Sequence, residues 1–228
     1  MFGLDDRIAT LSDGKTILVV VAVSMLLGLR HASDPDHLAA VTTLIASSRE
    51  RAGRRAARLG LTWGLGHATS LFVFGLPVVL YSAYLPEPVQ SAAETSVGIL
   101  IIGLAVLLLV RWRRGVFAVG RPHTHIPVRS ARGAFGIGLV HGMGGTAGVG
   151  LLLLAAIKSH ALAVTALALF AVCTAVSMAV LSTGLGLTLG AAGIRRSFQR
   201  IAPALGVVSL AFGIWYALGA QGMVPYVF

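Results

Sequence analysis

The sequence predicts an all-α membrane protein with six transmembrane helices. Of its 228 residues, 56% are hydrophobic and only 11% are charged, whereas a soluble domain carries about 25% charged residues. The apolar residues fall in runs long enough to cross a bilayer as helices, which takes about 20 residues each. Lys and Arg are concentrated in three loops, which alternate with loops that carry almost none. This alternation is typical of a multi-pass membrane protein.

Each predicted span is an apolar run bounded by polar or basic residues. The first run is too long for one simple span and contains Pro35, whose ring opposes a continuous helix. We therefore expect the first helix to be broken at His31–His37. Irregular backbone at that depth must face protein or a water-filled cavity. The six runs cover about residues 16–46, 59–82, 94–111, 133–157, 161–190 and 201–220.

The basic residues predict the orientation. Of 18 Lys and Arg residues, 14 lie in the segments Arg49–Arg58, Arg111–Arg132 and Arg195–Arg200. With these segments on the cytoplasmic side, the N- and C-termini of this multi-pass protein lie outside the cytoplasmic (inner) membrane. The same distribution accounts for the net charge of +10. We therefore expect the lipid bilayer, and no nucleic acid, as the macromolecular partner.

A short motif, Gly-Leu-x-His, recurs in three of the spans, at Gly28–His31, Gly64–His67 and Gly138–His141. Together with the order of spans and loops, it favours a duplicated unit. An odd number of spans in each unit would place the second unit upside down relative to the first, as in many secondary transporters.

The predicted organisation is one polytopic membrane domain over residues 1–228. Its first three-helix repeat covers about 16–111 and its second about 133–220. A basic cytoplasmic loop at about 112–132 joins them.

The strongest candidate for a functional site is the polar group inside the first span: His31, Asp34, Asp36 and His37. An ionisable side chain in hydrocarbon costs about 2.5–3.5 kcal/mol even on a lenient insertion scale. Imidazole and carboxylate together bind divalent transition metals, so we predict a metal site in a cation pathway. The alternative is that an aspartate caps the second half-helix and the histidines hydrogen-bond to it.

Histidines in later spans extend this prediction. His67 joins the predicted metal site, although a lone histidine in a span is often a packing residue. His141 and Thr146 are candidate pathway residues around a glycine run. That run either breaks the fourth span or lets helices pack closely. His123 and His125 lie in the basic loop, where they either capture metal or belong to an ordinary solvated loop.

Two of these segments resemble signatures of the nickel/cobalt transporter family. The sequence RHASDPDHL resembles the form H-x4-D-H, matched by His31, Asp36 and His37, with a further acid at Asp34. The sequence GLGHAT, which contains His67, resembles the Leu-Gly-His-Ser/Ala-Thr motif of the family's second helix.

The chain also departs from the typical family member, which has eight helices. No Asp or Glu follows Glu94, and HGMGGTA at residues 141–147 replaces an acidic Asp-Thr-Ala-Thr-Glu motif. In these respects the chain is similar to the shorter relatives of the family, the six-helix nickel permeases and the urease-accessory membrane proteins.

The resemblance implies a secondary transporter and not an enzyme. Its substrate would be Ni²⁺ first and Co²⁺ second, with no permanently bound cofactor. Proteins that mature nickel enzymes would be natural partners, although the sequence identifies none. Two other classes stay open. One is an intramembrane metalloenzyme, although the chain has no H-E-x-x-H motif. The other is a transporter of a non-metal solute, with Arg30 as the counter-ion of that solute.

Overall fold

The computed structural model describes residues 4–46, 52–81, 86–115, 130–144, 157 and 159–225. These residues form helices joined by turns, and no strand occurs among them, so the all-α class is confirmed. In chain order the described helices are α1 (Leu4–His31), α2 (Pro35–Ala46), α3 (Ala52–Tyr81), α4 (Glu87–Arg113), α5 (Ala131–His141), α6 (His160–Gly190) and α7 (Ala192–Ala220).

Among the described residues, four helical segments are long and apolar enough to cross a membrane: Ala56–Tyr81, Glu87–Arg113, His160–Leu189 and Phe198–Ala220. A fifth span is formed if the bent pair of α1 and α2 is counted as one. Five of the six predicted spans therefore have counterparts.

The fourth predicted span is described only as α5 and the turn that follows it. Its remainder falls at residues 145–156, outside the described residues. The count of six helices and the duplicated unit therefore stay predictions.

The first span is broken where the sequence predicted. Ile17–His31 and Pro35–Thr43 meet at an angle of 48°. The amide of Ser33 donates to the carbonyl of Arg30 at 2.8 Å, which closes the end of α1 with a tight turn. Pro35 is the first residue of α2, a position where its missing N–H has no helical partner to lose.

Glycines let the helices around this break approach closely. α3 packs mainly on α5 and α6, α1 packs on α6, and α4 packs on α7. A Cβ added at Gly28 would lie 2.5 Å from the carbonyl oxygen of Phe170, and one at Gly64 would lie 2.9 Å from Cα of Ala175. A Cβ at Gly138 would collide with the carbonyl oxygen of Trp63.

Each of these glycines opens a Gly-Leu-x-His motif, and residues three apart share a helix face. The motif therefore combines a close helix contact with a histidine on the same face.

Replacing Gly138 with Ala is expected to destabilise the contact between α3 and α5. The new methyl group would meet the backbone around Trp63 and His67, and overpacking of this kind costs about 1–3 kcal/mol. The midpoint of thermal unfolding of the detergent-purified protein should therefore fall.

Gly136→Ala is the matched control for this variant. Gly136 lies on the same helix, and nothing lies within 4 Å of where its Cβ would be. This change should leave the midpoint unchanged or raise it, because Ala favours helix more than Gly does. Equal midpoints for the two variants would contradict the importance of the contact.

Candidate metal site

Four histidines from four helices meet in one buried cluster, which we call the histidine layer: His31, His37, His67 and His141. His31 ends α1, His37 lies in the first turn of α2, His67 lies midway along α3, and His141 ends α5. The ring centroid of His37 is 4.7 Å from that of His31, 4.7 Å from that of His67 and 4.6 Å from that of His141. His37 is therefore the centre of the layer.

His31 and His67 face each other through their Nε2 atoms, which are 3.1 Å apart. The Nδ1 atom of His31 lies 3.0 Å from Oδ2 of Asp34. When Nδ1 carries the proton and donates a hydrogen bond to this carboxylate, Nε2 presents its lone pair to His67. Two nitrogens bound at right angles to one ion at about 2.1 Å would be about 3 Å apart. The observed separation therefore suits two ligands of a single metal ion.

The Asp36 carboxylate ties the other half of the layer together. Its Oδ1 lies 3.2 Å from Nδ1 of His37, and its Oδ2 lies 3.0 Å from Nε2 of His141. Both ring nitrogens donate to the carboxylate when they carry their protons. The opposite ring nitrogens, His37 Nε2 and His141 Nδ1, are buried without a hydrogen-bond partner among the described residues, as is Nδ1 of His67. Buried nitrogens of this kind are costly to leave unpaired, and each is a ready metal ligand.

These contacts define two overlapping sets of ligands. One set is His31, His37 and His67, and the other is Asp36, His37 and His141. Within each set one ligand atom from every residue lies within 4.8 Å of the others. His37 belongs to both sets, so the two positions are neighbours that share a ligand.

The electrostatics of the layer suit a cation. α1 and α5 both end at the layer, and the C-terminal end of a helix carries partial negative charge. Asp36 adds a buried carboxylate. The guanidinium of Arg30 lies 3.8 Å from Asp34 Oδ1, but its side chain is 75% exposed and so extends away from the layer.

Aromatic and aliphatic side chains enclose the layer. The ring of Trp63 lies 5.8 Å from that of His37 and 5.7 Å from that of His141. Trp63 belongs to one apolar cluster, and Leu71 belongs to another. On α3 these two residues lie one turn before and one turn after His67. The layer is therefore a polar region between two apolar clusters. Electrostatic interactions are strong in such low-dielectric surroundings.

The structure brings the five predicted metal-site residues into one neighbourhood. Four of them belong to the two ligand sets. Asp34, whose side chain is 14% exposed, stands at the rim and contacts His31 and Arg30. His141, predicted as a pathway residue, lies inside the layer.

Thr146 and the loop histidines His123 and His125 lie outside the described residues. The sequence reasoning missed Trp63 as part of the enclosure. Its position four residues before His67, on the same helix face, was the available signal.

Comparison of the sequence with known proteins finds relatives of this chain. Residues 17–126 match the family described as NicO, high-affinity nickel-transport protein. Over 216 residues the chain is 28% identical to the urease accessory protein UreH of Bacillus sp. (strain TB-90). This match covers 90% of this chain and 92% of that protein. No solved structure matches significantly.

The family match contains both histidine motifs of the first two spans, and the similarity to UreH extends over most of the chain. These findings point to a transporter rather than an enzyme. They confirm the resemblance that the motifs predicted: over residues 17–126 the chain is similar to the high-affinity nickel-transport family, and it is a multi-pass membrane transport protein.

Proposed function

We propose that this chain is a secondary transporter that carries Ni²⁺ across the cytoplasmic membrane, with the histidine layer as its binding site. The observation that carries the proposal is the pair of buried ligand sets centred on His37. Imidazole is a good ligand for Ni²⁺. The family description and the name of the relative support nickel as the substrate, and its use in maturing a nickel enzyme. Co²⁺, which prefers similar ligands, is the proposed second substrate.

The residues have distinct proposed roles. His31, His37 and His67 supply neutral ring nitrogens to the ion, and Asp36 supplies the negative charge that offsets it. Asp34 orients His31 by accepting a hydrogen bond from its Nδ1–H group, an arrangement that fixes the ring and increases the basicity of the ligating nitrogen.

The shared ligand suggests how the ion moves. An ion that leaves the first ligand set for the second can keep His37 while it exchanges His31 and His67 for Asp36 and His141. A site that is shared in this way avoids a fully stripped intermediate. Conduction also needs binding that is strong enough to capture the ion, and release is easier when the binding is spread over more than one position.

Two observations favour this reading over the transport of a non-metal solute. The Arg30 side chain, the proposed counter-ion for such a solute, is exposed and pairs with Asp34 at the rim. The layer itself offers ring nitrogens and a carboxylate, a donor set for a cation. The orientation that we propose follows the basic loops, with both termini outside.

Replacing His37 with Ala should abolish transport, because both ligand sets lose their common member. The measurement is cellular nickel content in a strain that lacks its own importers, with the level of the protein in the membrane checked first. Wild type should change the nickel content, and H37A should match the empty vector. A rise would indicate import and a fall would indicate export.

The matched control for His37→Ala is His160→Ala. His160 is exposed at the start of α6 and lies outside the layer. This variant should behave as wild type. Full transport by H37A would remove the basis of the proposed site.

Replacing Asp34 with Asn should weaken transport without abolishing it. The change keeps the size of the side chain but removes the charge that supports His31. Loss of such an outer partner typically costs about 10–100-fold in metal affinity or activity. The expected result is a KM for nickel uptake that rises by roughly tenfold or more.

Arg30→Gln is the comparison for this variant. An exposed ion pair contributes little, so R30Q should stay within about twofold of the wild-type KM. A complete loss of transport in R30Q alone would instead favour a substrate that pairs with the arginine.

A further inference from the structure

Helix α4 buries a carboxylate that the histidine layer does not use. Glu94 is only 5% exposed and lies within the apolar span Glu87–Arg113. Its Oε1 accepts a hydrogen bond from the side-chain amide of Gln90 at 3.0 Å. Among the described residues, no Lys, Arg or His forms an ion pair with it. Ionisable residues inside spans are rare because they are costly, and they commonly mark ion pathways.

One turn after Glu94, α4 lies near the two segments that carry Asp36 and His141. Val97, one turn further along, packs with Tyr216, and Ala39 of α2 packs against the same cluster. Ala39 lies three residues after Asp36. The cluster that contains Val97 therefore contacts the segment that supplies the carboxylate of the second ligand set.

The same part of α4 also reaches the segment that supplies His141. A Cβ at Gly144, three residues after His141, would lie 3.1 Å from Cγ2 of Val97 and 3.2 Å from the hydroxyl oxygen of Tyr216. A helix rises about 1.5 Å per residue, so Glu94 lies only about 4.5 Å along α4 from Val97. Val97 adjoins the segment of His141 and belongs to the cluster that contacts the segment of Asp36.

The surroundings of Glu94 toward the start of α4 are polar. The side-chain amide of Gln221 donates to Thr95 at 2.7 Å and to Ser91 at 3.1 Å. The sequence has no Lys or Arg between Arg58 and Arg111, whereas Glu87 and Glu94 both fall in that interval. This end of α4 therefore combines negative charge with hydrogen-bonding side chains, and its own sequence supplies no opposing cation.

We propose that Glu94 is a second binding position for the transported divalent cation, between the Glu87 end of α4 and the histidine layer. This inference depends on the proposed function. A carboxylate beside a side-chain amide offers oxygen ligands for a divalent cation, whereas imidazole is the better ligand for transition metals such as nickel. Glu94 would hold a partly hydrated ion, and the nitrogen-rich layer would then select it.

The first test is equilibrium binding of Ni²⁺ to the full detergent-purified chain. Because the two ligand sets of the layer share His37, we expect the layer to hold one ion at a time. We therefore expect wild type to bind a tight ion at the layer and a weaker ion at Glu94. Glu94→Gln should lose the weaker ion and keep the tight one, whereas His37→Ala should lose the tight ion and keep the weaker one. Glu87→Gln, which removes an exposed carboxylate of the same helix, should keep both.

The second test is the rate of nickel uptake as a function of concentration. In E94Q the KM should rise roughly tenfold while the maximal rate stays near wild type. This is the scale expected when one charge is removed within about two turns of a cation at an effective dielectric constant of about 20. E87Q should keep the wild-type KM.

The outcomes separate the two proposals. If wild type moves nickel and E94Q matches it in both KM and stoichiometry, the role of Glu94 is overturned and the proposed function stands. If E94Q does not accumulate in the membrane, nickel binding is measured with wild type and Glu94→Asp instead. A single ion bound to wild type would then overturn the second binding position. If wild type neither binds nor moves nickel, the proposed function itself fails.

Discussion

The Asp36 carboxylate holds together two helices that are distant in sequence. It accepts hydrogen bonds from His37 in its own helix and from His141 at the end of α5. A buried carboxylate without partners would be prohibitively costly, and breaking a buried pair typically costs about 3–5 kcal/mol. The two bonds therefore fix the orientation of both rings, and with them the position of the second ligand set. Because Asp36 also lies in the first turn of α2, the positive end of that helix further stabilises its charge.

The layer can form only because the helices around it come close together. His31, His67 and His141 each follow, by three residues, a glycine whose missing side chain admits another helix: Gly28 admits α6, Gly64 admits α6, and Gly138 admits α3. Side-chain hydrogen bonds reinforce two of these contacts. Ser177 donates to the carbonyl of Leu29, and Ser70 donates to the carbonyl of Leu139. Close packing through small residues, supported by polar side chains, is the usual way in which helices associate in a bilayer.

The parts of the site that the sequence predicted are those encoded locally. Pro35 within an apolar run fixes the break, and the spacing places His31 on one side of it and Asp36 and His37 on the other. His141 could be predicted only as a pathway residue, since its contact with Asp36 depends on how α5 packs against α3. The position of Asp34 at the rim follows from side-chain geometry around the break, which a spacing pattern does not contain. Glu94 could not be predicted as a site residue, because the sequence does not distinguish an exposed acid from a buried one near the start of an apolar run.

A transporter must open its site to each side of the membrane in turn, and the layer lies between apolar clusters on both sides. On α3 these clusters contain Trp63 and Leu71, and on α6 they contain Met178 and Phe170. Moving an ion past either cluster requires the helices to shift. Two of the described helices end beside the layer, α1 at His31 and α5 at His141, and a turn follows each. Fewer helical hydrogen bonds oppose movement there than within α3 or α6. We therefore expect the helix ends that present His31 and His141 to take part in that shift.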